Sequence, residues 1–193
     1  MHSEKVDAQD LIGATALLGG RLSEQVSITG RYDVKCLDAD GNLKWEDSIQ
    51  NLVVNVGKAN ILSVYLGAGT QTTTWYMGLV DSTGYTAYNA ADTMLNHAGW
   101  SESVAYSNST RPTVTFGTAT ASGGGAGSAG TGSIVSTAVT FTINASATIL
   151  GAFLTTGSAK SGTTGTLYSA GSFASSRAVI SGDSLLVTYT AQS

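Results

Sequence analysis

Several runs of the chain alternate apolar and polar residues with a period of two, the signature of strands with one buried face. Tyr32, Val34 and Cys36 alternate with Asp33 and Lys35, and Leu43 and Trp45 alternate with Lys44 and Glu46. Between them Asp38-Ala-Asp-Gly-Asn42 supplies turn chemistry, so residues 28–51 are predicted to form a hairpin. Leu185, Val187 and Tyr189 alternate with Leu186, Thr188 and Thr190 after a Gly182-Asp183 turn, which predicts a last strand over 184–190. The run Thr74–Val80 differs, because it is apolar on both faces. Trp75, Met77 and Leu79 point one way, and Tyr76 and Val80 point the other, with Gly78 between. A strand of this kind is covered on both sides, and it reads as the central strand of a β-sandwich.

Other strands are expected over 100–106, 113–118, 134–143, 148–155 and 165–169, the last extending toward Phe173. A helix is predicted over 56–66, with Asn55 as its cap, Ile61 with Tyr65 and Leu62 with Leu66 at i,i+4 spacing, and Gly67 as its stop. One helical turn is predicted over 93–97, capped by Asp92 and ended at Gly99. The glycine- and serine-rich stretch 122–133 is predicted to be an exposed loop tip. Eight or nine strands without βαβ alternation, and without a 20–50-residue repeat, give an all-β fold. The expected architecture is a jelly-roll-like β-sandwich over 28–193 with one or two short helices. Residues 1–27 differ in pattern. Asp7 or Asp10 is placed to cap a short helix through Leu11, Ile12, Ala14, Ala16 and Leu17, ended by Gly19-Gly20. This segment reads as an N-terminal arm ordered against a neighbour, with a frayed terminus as the competing reading.

Composition narrows the partners. Only 11% of the 193 residues are charged, and the net charge is −4. Seven of the nine basic and twelve of the thirteen acidic residues precede Pro112, so the second half depends on hydroxyls and backbone for its polarity. No Lys/Arg cluster exists, which argues against a nucleic-acid partner. A weakly charged, hydroxyl-rich surface suits packing against another protein. The single cysteine excludes an intrachain disulfide framework, and its alternation with Tyr32 and Val34 makes it a buried apolar residue. The start has neither the basic nor the apolar region of a signal peptide, and no run of 18 apolar residues predicts a membrane span. The expectation is a soluble protein made in a cytoplasm.

Four motifs suggest chemistry and lack its remaining parts. Gly182-Asp-Ser-Leu185 spells the signature of the GDSL esterases. That serine needs a strand-to-helix turn and a later Asp-x-x-His, whereas only eight residues follow Leu185 and none is histidine. Asp38-Ala-Asp-Gly-Asn42 resembles a calcium loop, but counting from Asp38 puts glycine at position 4 and Ile49 at position 12, where an EF-hand needs positions 6 and 12 as Gly and Glu. His97 has no second histidine or cysteine pair at ligand spacing, and reads as a structural residue beside Trp100. Trp45, Trp75 and Trp100 sit in strand patterns, as core or interface anchors rather than an exposed sugar-stacking row. No catalytic, cofactor-binding or metal-binding residue is assigned, no cofactor is expected, and the chain reads as a non-enzyme.

A set of stretches carries a resemblance: Leu52-Val-Val-Asn-Val-Gly57, Gly69-Thr-Gln-Thr-Thr-Thr-Trp-Tyr-Met-Gly-Leu79, His97-Ala-Gly-Trp-Ser-Glu102, Ile149-Leu-Gly-Ala-Phe-Leu154, Gly165-Thr-Leu-Tyr-Ser169 and Gly182-Asp-Ser-Leu-Leu-Val-Thr-Tyr189. Together they resemble the capsid decoration (cement) proteins of tailed bacteriophages, over roughly Ile28 to Thr190. The resemblance implies a virion protein on the outer surface of the capsid. Its expected partners are the major capsid protein and itself, as a homotrimer or dimer. It implies no site residues. Val6, Leu11, Ile12, Leu17 and Leu18 of the arm are the expected capsid or inter-protomer contacts. The alternative is a phage tail-fibre or receptor-binding β-sandwich that recognises cell-surface glycan.

Overall fold

The structure, a computed structural model, describes residues 28–125 and 128–193. The arm over 1–27, with Val6, Leu11, Ile12, Leu17 and Leu18, lies outside the described residues. So does the tip at 126–127.

The described chain is an all-β sandwich of two antiparallel sheets with one helix. The alternating run at the start forms β1 (Thr29–Leu37), which pairs with β2 (Leu43–Gln50) as the predicted hairpin. The last alternating run forms β12 (Ser184–Gln192) and pairs with β1 along the whole of that strand, from Thr29↔Gln192 to Leu37↔Ser184. Beyond β12 lie β8 (Ser128–Val135), β9 (Val139–Thr142) and β7 (Thr120–Gly125), giving the order β2-β1-β12-β8-β7 with β9 also on β12. The second sheet has the order β3-β11-β10-β4-β5, with β6 also on β4. These strands are β3 (Leu52–Val53), β4 (Trp75–Asp81), β5 (Ser101–Ser103), β6 (Thr113–Val114), β10 (Ala147–Thr155) and β11 (Leu167–Val179). The chain passes between sheets after β2, β6, β9 and β11. Among the described residues no helix is long and apolar enough to cross a membrane.

The main core lies between the sheets. Tyr32, Val34, Cys36, Ile49, Leu185, Val187 and Tyr189 face Met77, Leu79, Ile149, Leu154 and Phe173. These are the inward positions that the period-two patterns mark. A second cluster lies on the other side of β4 and β10, where Val80 and Phe153 pack with Val54, Met94, Trp100, Leu167 and Ala170. Strand β4 is therefore covered on both faces, as its composition predicts. It is interior rather than central, with β10 on one side and the short β5 and β6 sharing the other. Gly78 has a steric reason, since a Cβ there would overlap the Phe153 ring.

Several local expectations need correction, beginning with the strands expected over 100–106 and 113–118, which shorten to β5 and β6. The stretch 122–133 is not an open loop tip: β7 and β8 pair from Thr120↔Ser133 to Gly125↔Ser128. Backbone hydrogen bonds hold that hairpin, and they need no apolar pattern that a reader of side chains would notice. No helical turn forms over 93–97. The Asp92 carboxylate instead accepts from Asn89 N and from Trp100 Nε1, both at 2.9 Å. The strand expected over 134–143 breaks at 136–138, because Ser136 Oγ accepts from Tyr189 N and interrupts the ladder.

Candidate functional site

The helix α1 (Asn55–Leu66) follows β3 and lies against β11. Asn55 does not cap it. Val54 precedes the first turn without a side-chain cap, and Asn55 N donates to Ala90 O at 2.8 Å. Gly57 is the buried residue of α1, and a Cβ there would overlap the backbone of Tyr168. Glycine thus lets the helix sit directly on the β11 backbone. Ile61 packs against the main core. The helix ends where Gly67 N and Gly69 N both donate to Ser63 O, as the Gly67 stop predicts.

The remaining large apolar positions of α1 are open to water. Leu62, Tyr65 and Leu66 are 59%, 86% and 79% exposed. Their i, i+3, i+4 spacing puts them on one stripe of the last two turns. A helix open to water ordinarily carries charge on its outer face. Here Lys58 is the one charged residue of α1. Contiguous exposed apolar surface on a folded domain marks a contact face.

The candidates for chemistry have structural duties. Asp38 Oδ1 accepts from Asp40 N at 3.0 Å and Asn42 N at 2.8 Å, while Gly41 takes φ +83°. Hydrogen bonding within this turn, first from the Asn42 backbone, lowers the carboxyl's pKa. The Asp38 oxygens are engaged by the hairpin itself. In Gly182-Asp-Ser-Leu185, Ser184 opens β12 and pairs with Leu37. Asp183 is the residue with a role there. Buried, it accepts from Lys44 Nζ at 2.6 Å and from Ile180 N at 3.0 Å. The Asp183 hydrogen bond raises the Lys44 pKa. Burial, and then the Asp183 charge, push the Cys36 thiol up to about 11. That thiol is poorly suited to act as a nucleophile.

His97 stacks on Trp100, with centroids 4.0 Å apart, and its Nδ1 lies 3.0 Å from Trp100 O. This is the structural placement its neighbours suggest. Trp100 is buried, while Trp45 and Trp75 are partly buried against Phe173 and Tyr168. The three tryptophans do not form an exposed row. Among the described residues, no group of three or more His, Cys, Asp or Glu side chains is placed to hold a metal.

One constellation has no sequence signal. Arg111 and Glu102 are 1% and 4% exposed, and the guanidinium bonds both carboxylate oxygens at 2.9 and 2.8 Å. Arg111 also donates to Gly157 O and Gly162 O, and Glu102 accepts from Tyr106 OH and Ser161 N. Lys160 adds bonds to Tyr106 O and Asn108 O. The network ties the 157–165 loop to the segment before β6. Each charge is satisfied by the protein, which makes it a staple rather than a reactive site.

Comparison with known protein-family models, curated proteins and solved structures yields no match. The exposed stripe of α1 is the strongest candidate for function among the described residues.

Proposed function

We propose that this protein is a virion structural protein that decorates the outside of a phage capsid and bridges major capsid subunits. The observation that carries the reading is the uncovered apolar stripe of Leu62, Tyr65 and Leu66 on a helix with one charged residue. Tyr65 is a residue type enriched at interface hot spots, and Leu62 and Leu66 add apolar area beside it. The sandwich fold, the weakly charged composition and the resemblance of six stretches to phage cement proteins support the same reading. Val6, Leu11, Ile12, Leu17 and Leu18 form a second contact set, to the capsid or to a neighbouring protomer. A homotrimer or dimer repeats both sets around a symmetry axis, so weak contacts sum to strong attachment. No catalytic step or cofactor enters this account.

The test is a count of copies in purified particles of the parent phage by quantitative mass spectrometry. Copies on the order of hundreds per particle fit a decorated shell. A few copies, together with binding on a glycan array, would instead favour a receptor-binding module of a tail fibre.

A further inference from the structure

At the end of the sandwich where β1 begins, the two sheets leave a cavity of about 190 Å³. Four aromatic side chains line it: Trp75 of β4, Tyr168 of β11, Tyr189 of β12, and Phe116, which bridges to Ser136. Ile134, Leu154 and Ala191 complete the lining. The four rings meet in sequence at steep angles. Trp75 and Tyr168 have centroids 5.4 Å apart and planes at 71°, Tyr168 and Tyr189 6.3 Å and 87°, and Tyr189 and Phe116 6.3 Å and 80°. Rings that follow one another near the perpendicular form the corners of a box rather than a flat stack. Tyr168 and Tyr189 are buried on its closed side, whereas Trp75 and Phe116 are partly exposed and stand at the opening.

The lining is polar in places without being charged. Its hydrogen-bonding groups are the phenol hydroxyls of Tyr168 and Tyr189 and the Trp75 indole. Tyr189 OH already accepts from Asn51 Nδ2 at 2.8 Å. Among the described residues no acid, amide or base lines the cavity. A sugar would bring more hydroxyls than these groups can pair. A ring face, in contrast, attracts a cation held within about 6 Å of its centroid. Elsewhere the chain fills such positions itself. Lys160 Nζ lies 4.0 Å from the Tyr106 centroid, the Arg111 guanidinium 5.1 Å from that of Phe153, and the Arg177 guanidinium 5.9 Å from that of Trp45. Among the described residues no Lys or Arg lies over Trp75, Phe116, Tyr168 or Tyr189. A primary ammonium entering here would lose hydrogen bonds to water that the lining could not replace. A trimethylammonium group donates none, and its charge is spread over methyl groups that fit against ring faces. Its bulk is close to that of benzene, which a cavity of roughly 150 Å³ accepts. The net charge of −4 favours a cationic ligand in the same sense.

We propose that the cavity walled by Trp75, Phe116, Tyr168 and Tyr189 binds a trimethylammonium group of the choline type. The site shares no residue with the α1 stripe and stands independently of the capsid reading.

The test titrates the full chain with choline chloride in a calorimeter. Neohexyl alcohol, the uncharged carbon isostere of choline, is the second ligand. Saturable choline binding is expected, at least about tenfold tighter than binding of the alcohol. In NMR the choline N-methyl protons should show nuclear Overhauser contacts to the Trp75 or Phe116 ring. Trp75→Leu and Phe116→Leu keep an apolar wall and should each weaken choline binding about fivefold or more. Vesicles of phosphatidylcholine separate the two sources of the group. Sedimentation of the protein with them places the ligand on a lipid headgroup, and choline binding without sedimentation places it in solution; either source satisfies the proposal. Absence of saturable choline binding by the natural sequence would overturn it. So would equal affinity for neohexyl alcohol, which would make the cavity merely apolar, or N-methyl contacts to other aromatic residues instead. These outcomes need no variant, so a misfolded substitution would not rescue a failed proposal.

Discussion

Two segments lie against the second sheet, and the chain treats them in opposite ways. The 82–100 segment between β4 and β5 turns most of its large side chains inward, with Leu95 left 77% exposed. Tyr85, Tyr88, Met94 and Trp100 pack with Val80 and Phe153, and Asp92 holds the Trp100 indole. Helix α1 turns only Gly57 and Ile61 toward the domain and leaves Leu62, Tyr65 and Leu66 in water. Both segments are rich in apolar residues, so composition does not separate them. The difference lies in whether a partner surface exists among the described residues. The 82–100 segment covers the open face of β4 and β10. Once Gly57 has met the β11 backbone, the described residues offer α1 no such face for its last two turns. The first segment covers the second sheet, and the second leaves an apolar stripe uncovered among the described residues.

Four changes would break or sharpen that contrast. Trp100→Ala removes the largest side chain of the internal cover. It should lower stability by about 3–5 kcal/mol in chemical denaturation. A loss under about 1 kcal/mol would mean the cover does not pack as described. Gly57→Ala should push α1 off the β11 backbone, at a cost of about 1–3 kcal/mol by the same measurement. An unchanged midpoint would show that the helix is not seated there.

The third test uses pH. Burial raises the pKa of Tyr88 under the internal cover and of Tyr32, Tyr106, Tyr168 and Tyr189 in the main core. A group whose folded pKa is raised favours the folded state fully below its unfolded value, near 10 for tyrosine, and that contribution is lost as the pH climbs through the folded values. Denaturation midpoints should therefore start to fall above about pH 10 and keep falling as the pH rises further, and tyrosinate absorbance from these five should appear only with unfolding. Ionisation of all eight tyrosines in the still-folded protein would contradict their burial. Last comes the α1 stripe. Leu62→Gln, Tyr65→Gln and Leu66→Gln should each change stability by no more than about 0.5 kcal/mol, because these side chains touch little of their own domain. A large loss would mean that the stripe is covered within the chain.

What was legible in the sequence follows the same division. Period-two runs mark Tyr32, Val34, Cys36, Leu185, Val187 and Tyr189 because a sheet with one wet face must alternate. The double-sided run around Met77 and Val80 anticipates a second buried layer for the same reason. The β7–β8 hairpin was hidden, since Gly and Ser carry no pattern while their backbones still pair. The Arg111–Glu102 staple was hidden too, because its partners at Gly157 and Gly162 are backbone carbonyls brought near only by the fold. The α1 helix was legible, and the exposure of its stripe was not. The i,i+4 spacing of Ile61 with Tyr65 and of Leu62 with Leu66 specifies a helix with an apolar face, but it does not say which molecule covers that face.

The most direct measurement is co-sedimentation of the natural protein and the Leu62→Gln/Tyr65→Gln/Leu66→Gln variant with empty expanded capsids of the parent phage. Saturable binding of the natural protein, with at least about a tenfold loss in the equally stable variant, is the predicted result. Equal occupancy by both proteins would contradict the assignment of the α1 stripe, and no binding by either would contradict capsid decoration itself.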